Sequence, residues 1–162
     1  MKLYIKQKAF SFSDKFYIMD EDGTDRYYVE GEIFTIGKKL HVYDMNGSEV
    51  VFLSQRPFTF LPKVDIYLGE ELIATVVREI SFFTPRFVIE LLGWEVVGEF
   101  MEHNYEMTYN MAPVATVEKE WFTWGDSYSL EFYDHKDELN SLGILLAIDI
   151  INASQAAANA AN

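Results

Sequence analysis

Leu139-Asn140-Ser141-Leu142-Gly143-Ile144-Leu145-Leu146-Ala147-Ile148-Asp149-Ile150-Ile151 carries eight Leu or Ile and no polar stripe. Read as a helix it is apolar on every side, so it either spans a membrane or is enclosed by protein. Asp134 or Asp137 supplies an acceptor for its unpaired first N–H groups. Thirteen residues rise only about 20 Å against a hydrocarbon core of ~30 Å. Asp149 near the end is also costly in lipid. Enclosure by protein is the better answer, with a helix over about 137–151 that buries Leu142, Leu145, Leu146 and Ile148. Eight buried Leu/Ile side chains contribute on the order of 12–24 kcal/mol gross, more than the ~5–15 kcal/mol net stability of an ordinary domain. The helix is therefore expected to be a folding requirement. Residues 153–162, rich in Ala and Asn, form a polar tail that frays or continues as a weak solvent helix.

Upstream, the chain reads as strand after strand. Phe16 and Ile18 alternate with Tyr17 and Met19, and extended patterns recur at Arg26–Glu30, Leu40–Tyr43, Val50–Leu53, Val64–Leu68 and Leu72–Arg78. Phe87–Leu91, Glu95–Val97, Glu106–Tyr109, Val114–Val117 and Ser127–Phe132 continue the series. Asp20-Glu21-Asp22-Gly23 and Asp44-Met45-Asn46-Gly47 repeat the same turn signal 24 residues apart, with Gly23 and Gly47 placed for positive φ. Pro57, Pro62, Pro85 and Pro113 lie between the runs, where a missing N–H does least harm. Eight-stranded barrels are nearly filled by their own side chains, so enclosing a helix takes more strands. The chain before the helix supplies roughly 11–16 at ordinary spacing. Closure also removes sheet edges. The expected architecture is mainly β: one domain over 1–152, a closed barrel around the buried C-terminal helix. A two-sheet sandwich would need a one-sided apolar stripe on the helix, which is absent.

The formal net charge of −13 repels phosphate backbones and anionic headgroups, so nucleic-acid binding and polybasic membrane docking are not expected. No basic run exceeds Lys38-Lys39. Without cysteine there is no disulfide, thiolate metal site or thiol catalysis. Met1–Lys8 lacks the apolar stretch of a signal peptide, which points to the cytoplasm.

Arg26-Tyr27-Tyr28-Val29-Glu30-Gly31-Glu32, the paired Asp-x-[Asp/Asn]-Gly hairpins, Phe83-Thr84-Pro85-Arg86-Phe87-Val88-Ile89 and Ile144–Asn152 together resemble the LURP-one-related (LOR) family in its bacterial branch. The similarity covers essentially the whole chain. That family is similar to the tubby C-terminal domain and to phospholipid scramblases, which implies a twelve-stranded barrel around a hydrophobic C-terminal helix. No matching basic phosphoinositide motif can be placed here, and the palmitoylated cysteines of scramblases are missing. Asp126–Asp134 is faintly similar to a scramblase calcium segment, but Tyr128 stands where Asp or Asn belongs, and alternation sends Tyr128, Leu130 and Phe132 inward as a plain strand.

No catalytic, cofactor or metal constellation emerges. As EF-hand loops the two acidic turns would place Ile18 and Val29, or Val42 and Leu53, at ligand positions. His41, His103 and His135 lie in separate elements without ligand spacing. Glu118 and Glu120, beside Trp121 and Trp124, share a strand face as a hydrolase pair would, and so do ordinary solvent-facing carboxylates. Asp149 is the most informative residue. On an axial helix its carboxylate pairs with a barrel Arg (Arg26, Arg56, Arg78 or Arg86), accepts backbone N–H groups, or emerges at the barrel mouth. The expected function is a non-enzymatic binding or scaffold module that engages a protein or lipid partner. A small hydrophobic ligand carrier is the alternative, with an enzyme of unrecognised type third.

Overall fold

Twelve strands wind up and down into one closed antiparallel barrel, with each strand hydrogen-bonded to its sequence neighbours and the first to the last. A computed structural model describes residues 1–6, 15–83, 85–120 and 127–161. The strands are β1 (Lys2–Lys6), β2 (Lys15–Met19), β3 (Asp25–Gly31), β4 (Lys39–Asp44), β5 (Glu49–Gln55) and β6 (Lys63–Leu68). They continue as β7 (Glu71–Glu79), β8 (Arg86–Glu90), β9 (Trp94–Glu99), β10 (Asn104–Tyr109), β11 (Ala112–Glu120) and β12 (Ser127–Phe132). Strand after strand alternates inward apolar with outward polar residues, as half-buried strands must. Val29, Val42, Val51, Leu53, Val64, Ile66, Val76, Val117 and Leu130 are all sealed inside.

β1 is an addition to the strands expected from sequence. Lys2–Lys6 pairs with β12 in full register, from Lys2 opposite Glu131 to Lys6 opposite Ser127, and it closes the barrel. Pro113 corrects the expectation that prolines stay between strands. It is the second residue of β11, opposite Thr108, where the β10–β11 register shifts at a bulge that tolerates the missing donor.

The axial helix α1 runs from Glu138 to Ala160, nine residues beyond the expected end at Ile151. Its first part threads the barrel: Ser141 through Ile151 are buried without interruption, whereas Leu139 is only half-buried. At 23 residues the helix is about 34 Å long, so the argument that it is too short for a bilayer fails. Length and composition alone would let His135–Ala160 cross a membrane, and the enclosing strands are what decide its place. Asp134 caps not α1 but the preceding single 3₁₀ turn, accepting the Lys136 N–H at 3.1 Å. Asp137 holds the N-cap position of α1 without a side-chain bond, and its carbonyl accepts the Ser141 hydroxyl at 2.7 Å.

Candidate functional site

In an up-and-down barrel, all links from even to odd strands fall at one end and all links from odd to even strands at the other. The two ends of this barrel differ in chemistry.

The even-to-odd end carries tight turns. Asp20 Oδ1 accepts the N–H groups of Asp22 and Thr24 at 3.0 and 2.9 Å. Asp44 Oδ1 accepts those of Asn46 and Ser48, both at 2.9 Å. Gly23 and Gly47 sit at φ +77° and +84°, the left-handed region where a side chain is strained. The repeat noted in the sequence is thus one hairpin turn used twice, and its leading carboxylates are committed to their own backbones. Among the described residues no group of three or more His, Cys, Asp or Glu is placed to hold a metal ion. The β12 segment is a strand, with Tyr128, Leu130 and Phe132 buried; Asp126 lies outside the described residues. Glu118 is exposed, while Glu120 accepts the Ser129 hydroxyl at 2.7 Å and sits 4.0 Å from Lys2 Nζ. The accompanying Trp121 and Trp124 lie outside the described residues.

The odd-to-even end carries longer loops with large apolar side chains facing outward. Phe34 follows β3, Phe58 and Phe60 follow β5, and Phe82 and Phe83 follow β7; each is 90% or more exposed. Ile33, Ile36 and Ile80 stand exposed beside them. Phe34 and Phe58 are held at φ +63° and +57°, which a bulky residue adopts only under constraint. The turn end exposes fewer large apolar side chains, such as Met45, Leu91, and Tyr109 with Met111 about one turn, and no phenylalanine among the described residues.

These loops collar the emerging helix. Gly37, at φ +81°, packs so tightly that a methyl there would lie 2.5 Å from the Gln55 carbonyl oxygen. Gln55 in turn accepts the Lys38 N–H at 3.1 Å and donates to Ser154 Oγ of α1 at 3.1 Å. A groove of about 290 Å³ lies between Ile33, Phe34 and Gln55 on one side and Ile150 and Ser154 on the other. A second, of about 390 Å³, is lined by Phe60, Leu61, Arg78, Ile80, Pro85 and Gln155. The Arg78 N–H donates to the Pro62 carbonyl at 3.0 Å, which ties the β5–β6 and β7–β8 loops side by side.

Charge divides the same way. Of the twelve described Lys and Arg, only Lys2, Arg26 and Lys136 belong to the turn end, and the other nine flank the odd-to-even loops. Around the arc from β2 to β8, seven bases at the loop end face five acids, Glu30, Glu32, Asp65, Glu79 and Glu90, the last level with Asp65 across Thr75. Four of those acids are paired: Glu30 with Lys15 at 2.9 Å, Glu32 with Lys39 at 3.9 Å, Glu79 with Arg86 at 3.4 Å, and Asp65 with Arg56. The last pair is two-pronged, 2.7 and 2.8 Å, and Thr75 donates to the same carboxylate at 2.6 Å. Lys63 and Arg78 have no carboxylate partner among the described residues.

Asp149, buried on α1, meets none of the four arginines. Its Oδ2 accepts the Tyr128 hydroxyl, and its Oδ1 lies 3.0 Å from His103 Nε2. The His103 ring stacks on Tyr128 with centroids 4.0 Å apart. Burial, together with the Asp149 carboxylate, pushes the Tyr128 phenol well above its ordinary pKa, so it stays a donor at neutral pH. Two further anchors were not foreseen. At the turn end the buried Glu138 accepts the Tyr27 hydroxyl at 2.7 Å and sits 3.7 Å from Arg26, where its charge also suits the helix N-terminus. At the loop end Ser154 meets Gln55. His41 lies on the outer wall between Glu32, at 2.8 Å, and Glu49. Burial alone would lower its pKa, but the two carboxylates outweigh that and raise it. His135 reaches Glu138 at 3.6 Å.

A family profile described as LURP-one-related matches residues 1–149. The chain belongs to the LOR family. Its relatives include the Bacillus subtilis protein YxjI, described as uncharacterized, which is 33% identical over 151 residues and aligned over 93% of each chain. The fold is also that of an Arabidopsis thaliana protein of known X-ray structure, AT5G01750, with a TM-score of 0.61 at 17% identity, covering 91% of this chain and 90% of the other. For a LOR protein the family match runs through strand β12 and along α1 to Asp149, so it takes in the buried cluster.

Proposed function

We propose that this LOR protein is a non-enzymatic binding module that engages its partner through the loop end of the barrel. One observation carries the reading. Large apolar side chains that a soluble chain would bury are gathered on one end, five of them phenylalanines exposed to 90% or more. Contiguous exposed apolar surface of this kind marks an interaction site, whereas scattered single residues need no explanation. The interior is a poor alternative site, because α1 occupies the axis so closely that one methyl on Gly143 would lie 2.8 Å from Ile66 Cγ2. A carrier would need room there that the helix has taken.

Photo-crosslinking in living cells tests this without naming the partner. A benzophenone amino acid replacing Phe82 is expected to give crosslinked products, while the same probe replacing Glu21 at the turn end gives none. Equal yields at both ends, or none at Phe82, would end the proposal.

A further inference from the structure

We infer that the partner of the loop end is an anionic lipid bilayer, which the barrel meets end-on with its phenylalanines in the interfacial region. The inference rests on the loop-end binding reading and adds the occupant.

Two independent features converge on the same arc. The first is the set of exposed side chains: Phe34, Phe58, Phe60, Phe82 and Phe83, with Ile33, Ile36 and Ile80 beside them, project from three neighbouring odd-to-even loops. Aromatic and branched apolar tips without covering charge suit the boundary between headgroups and acyl chains. The second is charge. Seven bases against five acids make this arc cationic, although the chain as a whole stands at −13. Thirteen carboxylates and only three bases lie at or beside the turn end. The rest of the loop end carries Glu99, Glu102, Glu118 and Glu120 against Lys6 and Lys119, so a negatively charged surface attracts the arc from β2 to β8 in particular and repels the turn end. The long-range field does the orienting, and the apolar tips hold the docked state.

The helix end is compatible with this placement. α1 leaves the barrel at this end through Asn152–Ala161, a stretch with six alanines and no charged side chain.

One groove on this arc presents a cation beside apolar side chains. Arg78 follows Ala74 and Val76 in inward parity, which carries it to the barrel mouth, where it lines the 390 Å³ groove with Phe60, Ile80 and Gln155. Glu79 lines the groove too but faces Arg86 at 3.4 Å. Lys63 lies one residue past Pro62, whose carbonyl bonds the Arg78 N–H. A phosphodiester is the group that a guanidinium beside an apolar wall recognises, because the fork binds two oxygens while the walls take the acyl end.

Flotation of the full chain with phosphatidylcholine vesicles, with and without phosphatidylglycerol, tests the assignment. Wild type is expected to float with the anionic vesicles, to remain behind with pure phosphatidylcholine, and to be released as salt shortens the Debye length. Phe60→Ser/Phe82→Ser/Phe83→Ser alters only exposed side chains, so it should melt like wild type and lose roughly tenfold or more in binding. Lys63→Gln and Arg78→Gln should each weaken anionic-vesicle binding by about fivefold. Met111→Ser, an exposed apolar residue at the turn end, should change nothing. Failure to float with anionic vesicles, or equal flotation by wild type and the triple variant, overturns the lipid assignment. If the Phe82 probe then still captures a protein, or a second copy of this chain, the binding-module reading stands with a different occupant. If that probe captures nothing, both fall.

Discussion

Asp149 shows how far a single residue can be read. A lone carboxylate in an all-apolar helix demands a partner, and that demand was legible in the sequence. The partner's identity was not. Arginine is the usual mate for a buried acid, yet Arg26 is committed to Glu138, Arg56 to Asp65 and Arg86 to Glu79. The acceptor is instead satisfied by Tyr128, 21 residues upstream, and by His103, 46 residues upstream. The inward parity of Tyr128 could be seen in the alternation of β12, but the height at which α1 would meet it could not. Asp149→Ala leaves the Tyr128 hydroxyl buried without its acceptor and is expected to cost roughly 2–3 kcal/mol, read as a lower urea midpoint at unchanged slope. Tyr128→Phe made together with Asp149→Ala should cost less than the two single changes added, because the orphaned hydroxyl is then gone. Strict additivity would mean the two groups do not interact.

Elements were legible where their periodicity was strong and blurred where a boundary depended on tertiary contact. Most strand positions followed from alternation and turn residues. β1 escaped notice although Leu3 and Ile5 alternate with Lys2 and Tyr4, because so short a run reads as a terminus until β12 is there to pair with it. The helix outran its apolar stretch because Ser154 is tied to Gln55 and the loops collar that turn. Gly143 sits in the apolar run with nothing in its neighbours to mark it, yet it is where α1 passes β5 and β6. A methyl there would meet Ile66 Cγ2 at 2.8 Å and Val51 Cγ1 at 3.6 Å. Alanine favours a helix over glycine by about 1 kcal/mol, whereas overpacking a filled interior costs about 1–3 kcal/mol. The clash falls on a β-branched side chain in a strand paired on both sides, which has little freedom to yield. Gly143→Ala is thus expected to lower stability by roughly 1–2 kcal/mol in a thermal or urea melt; a gain would show that the helix can shift within the barrel.

At the scale of the whole molecule, the average charge concealed the division that matters. No basic run exceeds two residues in the sequence, and the cationic arc exists only because the topology returns every odd-to-even loop to one end. The apolar loop tips were equally scattered until the barrel closed. The division has a structural precondition, because both ends keep their character only while the barrel is held round by what fills it. Inward residues such as Val51, Ile66, Val76 and Leu130 share one core with α1, which touches β5, β6, β7, β11 and β12. A chain ending at Glu138 should therefore fail to fold rather than fold loosely, giving no cooperative thermal transition and binding a hydrophobic dye strongly. A chain ending at Gln155 keeps the buried turns, the Asp149 cluster and the Ser154 anchor, and it should melt like the full chain. If the shorter chain melts cooperatively as a monomer, the strands close without their plug, and the segment that decided the fold would be a passenger in it.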